Sequence, residues 1–183
     1  MAKRDKDTIT VGSCVPYIMV FADAMPTKEE LFVEENRAGY IKNGCAIEYT
    51  EESYEEKDDL GFVSKVVTVS EELLVKMGFI TWNGDFLAKI IDRCTVTEDK
   101  TKGLRTVKIG GPGNAQGKYY AIGLHHQDKN DGDFWVIIKG RNTAGATLTF
   151  AMGEGTLIEP EFKAMPHDDA GTLLEYIEQI PTT

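Results

Sequence analysis

VVTVSEELLVKMGFITWNGDFLAKI, Val66 to Ile90, is the stretch on which the fold turns. Its middle reads in two ways. Ser70 can cap a helix, with Glu71 and Glu72 in the first turn, so local rules favour a short helix at SEELLVKM. Yet Leu73, Val75, Met77 and Phe79 alternate as strand residues do. The end of the stretch is less ambiguous. Asn83 can cap a helix over Gly84 to Asp92, with Asp85 near the positive end of its dipole and Lys89 and Arg93 towards the negative end. Phe86, Leu87, Ile90 and Ile91 fall on one side. About nine residues do not hold a helix alone, so that stripe must pack on something, and a sheet is the obvious partner.

Working outward, the signal is β on both sides. Gly44 to Thr50 reads as a strand, with Ile47 and Tyr49 on one face. Val63 to Ser70 has the valine and threonine content that suits a pleated surface. Thr95 to Thr97 and Leu104 to Ile109 flank the turn EDKTKG. Tyr120, Ile122 and Leu124 alternate, as do Phe134, Val136 and Ile138, and Asp131-Gly132 between them is a strong hairpin dipeptide. Leu148 and Phe150 mark a further strand. Leu157 to Ala164 follows, with Pro160 demoting part of it to an edge or bulge. Leu173 to Ile180 closes the series. Many short strands with one helix predict a mainly β single domain over residues 1–183, a β-sandwich or barrel with one flanking α-helix.

Composition narrows function. The chain has 183 residues and a net charge of −10. That balance argues against clamping nucleic acid through phosphate neutralisation, though not against a wall past which it slides. Much of the excess is local, since Glu51 to Asp59 holds six acids against Lys57 alone. This run reads either as a solvated loop or as an acidic loop meeting a basic patch on a neighbouring copy. Residues 1–14 read as a polar arm, with no signal peptide and no membrane segment, so the chain looks cytosolic at synthesis. Cys14, Cys45 and Cys94 form no CxxC pair and read as small buried or half-buried thiols.

The motifs that look chemical fail on their details. GGPGNAQGK, Gly110 to Lys118, has Pro112 where a phosphate loop needs glycine and Tyr119 where it needs Ser or Thr. DKNDGD, Asp128 to Asp133, places Gly132 and Lys139 where a calcium loop needs acids. His125 and His126 are adjacent in a strand and so point to opposite faces. No catalytic, cofactor or metal residues are assigned. Tyr49, Phe79, Trp82, Tyr120, Phe134, Phe150, Phe162 and Tyr176 lack the interleaved basic residues of a stacking platform, and read as core and interface.

Three stretches resemble the major tail tube proteins of tailed phages, prophages and phage-tail-like bacteriocins. They are GYIKNGCAIEYTEESYEEKDDLG (Gly39 to Gly61), Val66 to Ile90, and EFKAMPHDDAGTLLEYIE (Glu161 to Glu178), in the family's order and covering just over a third of the chain. The resemblance favours the strand reading of SEELLVKM. It implies a structural subunit rather than an enzyme, with six copies forming a ring and rings stacking into a hollow tube that conducts DNA or punctures a target cell. It implies an inter-ring loop over 49–61, carrying Glu51, Glu52, Tyr54, Glu55, Glu56, Asp58 and Asp59, and an N-terminal arm, Ala2 to Ser13, that reaches the next ring. It places channel-lining hairpins around Val63 to Phe79 or around Gly132. It implies a core-closing hairpin with Phe162, Leu174 and Tyr176. Implied partners are other copies of the chain, a sheath protein, a baseplate and a tail terminator, with DNA passing unbound. The location implied is a virion or tail-like particle assembled in the host cytoplasm. The alternative reading is a β-sandwich module that binds a ligand or carbohydrate.

Overall fold

The computed structural model describes residues 4, 7–150, 152–153 and 155–180. With 47% strand against 10% helix, the fold is mainly β, antiparallel, and flanked by helix. The elements run β1 (Val15–Val20), α1 (Lys28–Leu31), β2 (Ile41–Lys57), β3 (Ser64–Phe79), α2 (Gly84–Ile90), β4 (Cys94–Asp99), β5 (Leu104–Ile109), β6 (Tyr120–His126), β7 (Phe134–Asn142), β8 (Glu161–Met165) and β9 (Leu174–Glu178). The main sheet has the order β1-β6-β7-β8-β3-β2, with β9 also paired to β7, while β4 and β5 form a separate ribbon.

SEELLVKM is strand. The whole of Ser64–Phe79 is one element, and Leu73, Val75, Met77 and Phe79 are all buried. A period of two places these four on one face, whereas a helical turn would scatter them around its axis. The sheet folds over, so that Ile18 of β1, Val75 of β3, Ile122 of β6 and Val136 of β7 share one core with Phe162 and with α2. β6 and β7 are buried on their other face as well, against Leu31, Phe32 and the α1 segment. Gly123 marks how close that layer comes: a Cβ there would sit 2.8 Å from both Leu31 and Phe32.

Helix α2 forms where its cap and stripe predict. Asn83 Oδ1 accepts from the Phe86 N–H at 2.9 Å, and Phe86, Leu87 and Ile90 are buried. The sheet holds its other side. Lys89 Nζ donates to Ile18 O at 2.9 Å, and Asn142 Nδ2 donates to Ile90 O at 2.8 Å. Burial pushes the Lys89 ammonium below its usual range. Asn83→Ala removes the cap, and should cost about 1 kcal/mol and lower the thermal midpoint by about 2–4 °C in a calorimetric scan.

Several expectations need correction. The C-terminal segment is not a hairpin, because β8 and β9 do not pair with each other. Both lie on one edge of β7 in tandem. Asn142 to Lys139 takes Phe162 to Met165, and Ile138 to Phe134 takes Leu174 to Glu178. β6 occupies the opposite edge of β7 from Phe134 to Gly140, so two short strands share the edge that is left. Between them, His167 N–H donates to Thr172 O and Gly171 N–H donates to Asp168 O in a turn. Phe162 is fully buried and Leu174 packs partly buried on the same core. Tyr176 is 51% exposed and lies at the rim, its ring 5.4 Å from that of Phe134.

Leu148 and Phe150 form no strand; Leu148 packs partly buried on the core and Phe150 lies exposed near Trp82. The strand expected from Leu157 begins only at Glu161, after the buried Pro160, with Ile158 making an isolated bridge to Phe79. The strand Val15–Val20 and the short helix Lys28–Leu31 complete the chain, the latter held by a Thr27–Glu30 capping box.

Candidate functional site: a projecting hairpin

The acidic stretch expected as a loop over 49–61 is strand as far as Lys57. β2 pairs with β3 from Ile41↔Phe79 out to Lys57↔Ser64, leaving only Asp58 to Val63 as the turn. The pairing is interrupted at Glu52/Ser53, where Val69 is the extra residue of a bulge. Glu51, Glu52, Tyr54, Glu55 and Glu56 therefore stand on a strand, and Asp58 and Asp59 at its tip. A run of acids hides a strand when neither face is buried, because the alternation that betrays strands is an alternation of burial. The usable signal was two runs of similar length flanking a turn with Gly61, whose φ is 71°.

Among the described residues, the outer half of this hairpin pairs with no third strand. β3 is exposed from Ser64 to Glu71 and becomes buried only from Leu73; β2 is exposed from Ala46 onward. Eight residues of strand project about 27 Å. The outer edge of β2 ends the sheet, and β8 meets β3 only at Leu74 to Lys76, so the arm has two unpaired edges. Register places Ser53 and Glu55 on one face with Val66 and Thr68, and Tyr54 and Glu56 on the other with Val67 and Lys65. Each face thus sets acids of β2 beside valine of β3. Val66 is 60% exposed, Leu60 77% and Phe62 84%.

Electrostatics mark the arm as strongly as its shape does. From Glu48 to Glu72 there are nine acids and two lysines, a net −7 of the chain's −10. Glu51 and Glu71 face each other directly, an unfavourable cross-strand pair. The phenols of Tyr49 and Tyr54 each donate to a carboxylate two residues along, Glu51 and Glu56. The Glu51 bond pushes the Tyr49 phenol up to about 12. At the base, Lys76 Nζ lies 2.7 Å from Glu48 and 3.3 Å from Glu161, and Lys163 pairs with Glu72. At the tip, Asp58 accepts from the Val63 N–H at 2.7 Å and the Leu60 N–H at 3.3 Å, and these backbone donors hold its carboxyl below the usual range. Asp58 shapes the turn; Asp59, Leu60 and Phe62 are what the turn presents.

The other candidate sites resolve into structural roles. Residues 1–3, 5 and 6 of the expected arm lie outside the described residues. Arg4 folds back on its own chain, donating to Gly132 O and stacking over Phe134. Ile9 and Val11 are exposed. His125 and His126 do face opposite ways. His125 stacks on Trp135 with Nε2 2.9 Å from Asp133, and His126 stacks on Phe134 with Nδ1 2.9 Å from Ser13 O. Asp128 caps its own turn through the N–H groups of Asn130 and Asp131. Within Gly110 to Lys118, a 3₁₀ turn over Pro112–Asn114 is stapled by Asn114 Nδ2 donating to Gly110 O, and Gln116 Nε2 donates to Cys94 O. Among the described residues no group of three or more His, Cys, Asp or Glu is placed to hold a metal ion, and no helix is long and apolar enough to cross a membrane. No protein-family model matches the chain, and no curated protein matches it.

Proposed function

We propose that the chain is the structural subunit of a phage or phage-tail-like tube, with six copies in a ring and rings stacked into a hollow cylinder. The observation that carries this reading is the projecting hairpin. A two-stranded ribbon exposed on both faces is marginal in water, and two open edges invite pairing with another chain. Its exposed valines, tyrosines, Leu60 and Phe62 are apolar area that only a partner can cover. The natural partner is another copy, which presents the same edges. Closing such edges around a ring leaves none free. On this reading the protein carries out no reaction, and DNA passes a wall of like charge without adhering. Sheath, baseplate and terminator proteins would meet the finished tube in the virion or tail-like particle.

The charge sets the conditions of the test. Hairpins carrying −7 each repel until salt screens them, with a Debye length of about 10 Å at 0.1 M and about 3 Å at 1 M. Concentrated protein should form rings or tubes in negative-stain images, more readily as salt rises. A sharp monomer peak at millimolar concentration across that salt range, with no rings on the grid, would overturn the proposal.

A further inference from the structure

Two Asn-Gly dipeptides occur in the chain, Asn43-Gly44 and Asn83-Gly84, and the fold treats them in opposite ways. In such a pair the side-chain amide is open to attack by the next backbone nitrogen, because glycine places no Cβ in the way. At Asn83 the structure blocks that attack. Asn83 Oδ1 accepts from the Phe86 N–H at 2.9 Å, its carbonyl accepts from the Leu87 N–H at 3.0 Å, and Gly84 is fixed in the first turn of α2. Gly84 is also crowded, since a Cβ there would lie 2.8 Å from Arg105 and from Val107. Asn43 has none of these restraints. It is exposed, and among the described residues no hydrogen bond holds its side chain. The pairing of β2 with β3 passes from Lys42↔Gly78 to Cys45↔Met77, so Asn43 and Gly44 are looped out between them. Asn43 has a φ of 69°, the one positive value at a described residue other than glycine, and Gly44 follows at 79°. Nothing lies within 4 Å of the position a Cβ on Gly44 would take. Both residues line an open cleft of about 370 Å³ with Lys42, Lys76 and Glu161, which admits water.

We infer that Asn43 is a site of spontaneous covalent modification in the folded protein, cyclising onto Gly44 and opening to aspartate or isoaspartate while Asn83 stays an amide. A solvent base takes the proton from Gly44 N. That nitrogen attacks Asn43 Cγ, the new C–N bond closes a five-membered succinimide, and the side-chain nitrogen leaves as ammonia, taking a proton back from solvent. Water then adds to one ring carbonyl. Opening at Cγ gives aspartate. Opening at the Asn43 backbone carbonyl carbon gives isoaspartate, whose main chain runs on through Cβ and Cγ. The sum is one water consumed and one ammonia released, with no change of oxidation state. The ring closes only if Gly44 N swings onto Cγ, and the looped-out dipeptide can turn that way without breaking a ladder pair. The same slack takes up the extra backbone carbon of isoaspartate, because both flanking pairs lie outside it. A new carboxylate then stands just before β2 leaves the core for the acidic arm. The inference holds whether or not the chain builds a tube.

The test incubates the native protein at mildly alkaline pH beside the same chain unfolded in guanidinium chloride, with peptides mapped by mass spectrometry that separates isoaspartate from aspartate. In the native protein the peptide holding Asn43 should convert steadily to the two acids, while the peptide holding Asn83 keeps its amide. In the unfolded chain both should convert at similar rates, since only the fold separates the two dipeptides. Asn43→Gln should remove the conversion seen in the native protein, and Gly44→Ala should slow it several-fold. Equal conversion at Asn43 and Asn83 in the native protein would overturn the assignment. So would an intact Asn43 after the time in which the unfolded chain has converted.

Discussion

Phe162→Ala should destabilise the protein by about 3–5 kcal/mol, the range for deleting a buried aromatic ring. Against a total stability of about 5–15 kcal/mol, that loss is large enough to unfold a marginal domain. Phe162 has no exposed area and sits where three strands meet, opposite Asn142 of β7 and Val75 of β3. Its ring fills the join between the half of the sheet that carries the hairpin and the half that carries β1. A melt followed by near-ultraviolet circular dichroism should fall by about 6–20 °C. Tyr176→Ala is the comparison, since that ring is half exposed and lies at the edge. Its effect should be several-fold smaller. Equal losses would mean that the C-terminal segment closes the core as a unit, contrary to the tandem pairing on β7.

Shortening the hairpin should separate folding from assembly. Thr50 and Glu72 are direct cross-strand partners, so joining them through Asn-Gly makes a two-residue turn in register. The deleted residues, Glu51 to Glu71, are all exposed and contribute nothing to the core. The thermal midpoint should therefore move by no more than about 2–3 °C, while rings and tubes disappear from negative-stain images. The deletion removes seven acids and two lysines, taking the chain from −10 to −5. Charge alone would make the shortened protein more prone to associate. Loss of assembly in spite of lower repulsion isolates the contribution of the strand edges and apolar side chains. Wild-type assembly by the shortened chain would remove the hairpin from the interface.

The parts of the fold that were legible in sequence are those whose apolar residues follow the period of their element or form a short unbroken run. Leu73 to Phe79 alternates because one face meets the core, Tyr120 to Leu124 and Phe134 to Ile138 are buried on both faces and read as short apolar runs flanking Asp131-Gly132, and the stripe and cap of α2 mark the helix. The parts that were not legible depend on partners far along the chain. Pro166 to Gly171 looks like a hairpin turn, yet whether the flanking strands pair depends on which edge of β7 is open. Leu148 and Phe150 alternate, yet neither lies in a strand. The candidate site was half legible. Its acids were conspicuous, but Glu51 to Glu56 stand on a strand that buries neither face, so the pattern of hydrophobicity carried no trace of it.

The three residue pairs between β3 and β8, Leu74 to Lys76 against Lys163 to Glu161, have a mechanical meaning. Antiparallel hydrogen bonds lie across the strands, so a pull along the arm loads them in shear and they yield together. A pull at right angles would peel them singly. The arm is thus anchored against tension along its own length and weak to sideways leverage. An assembly that stretches its hairpins lengthwise works with this grain, and one that bends them works against it.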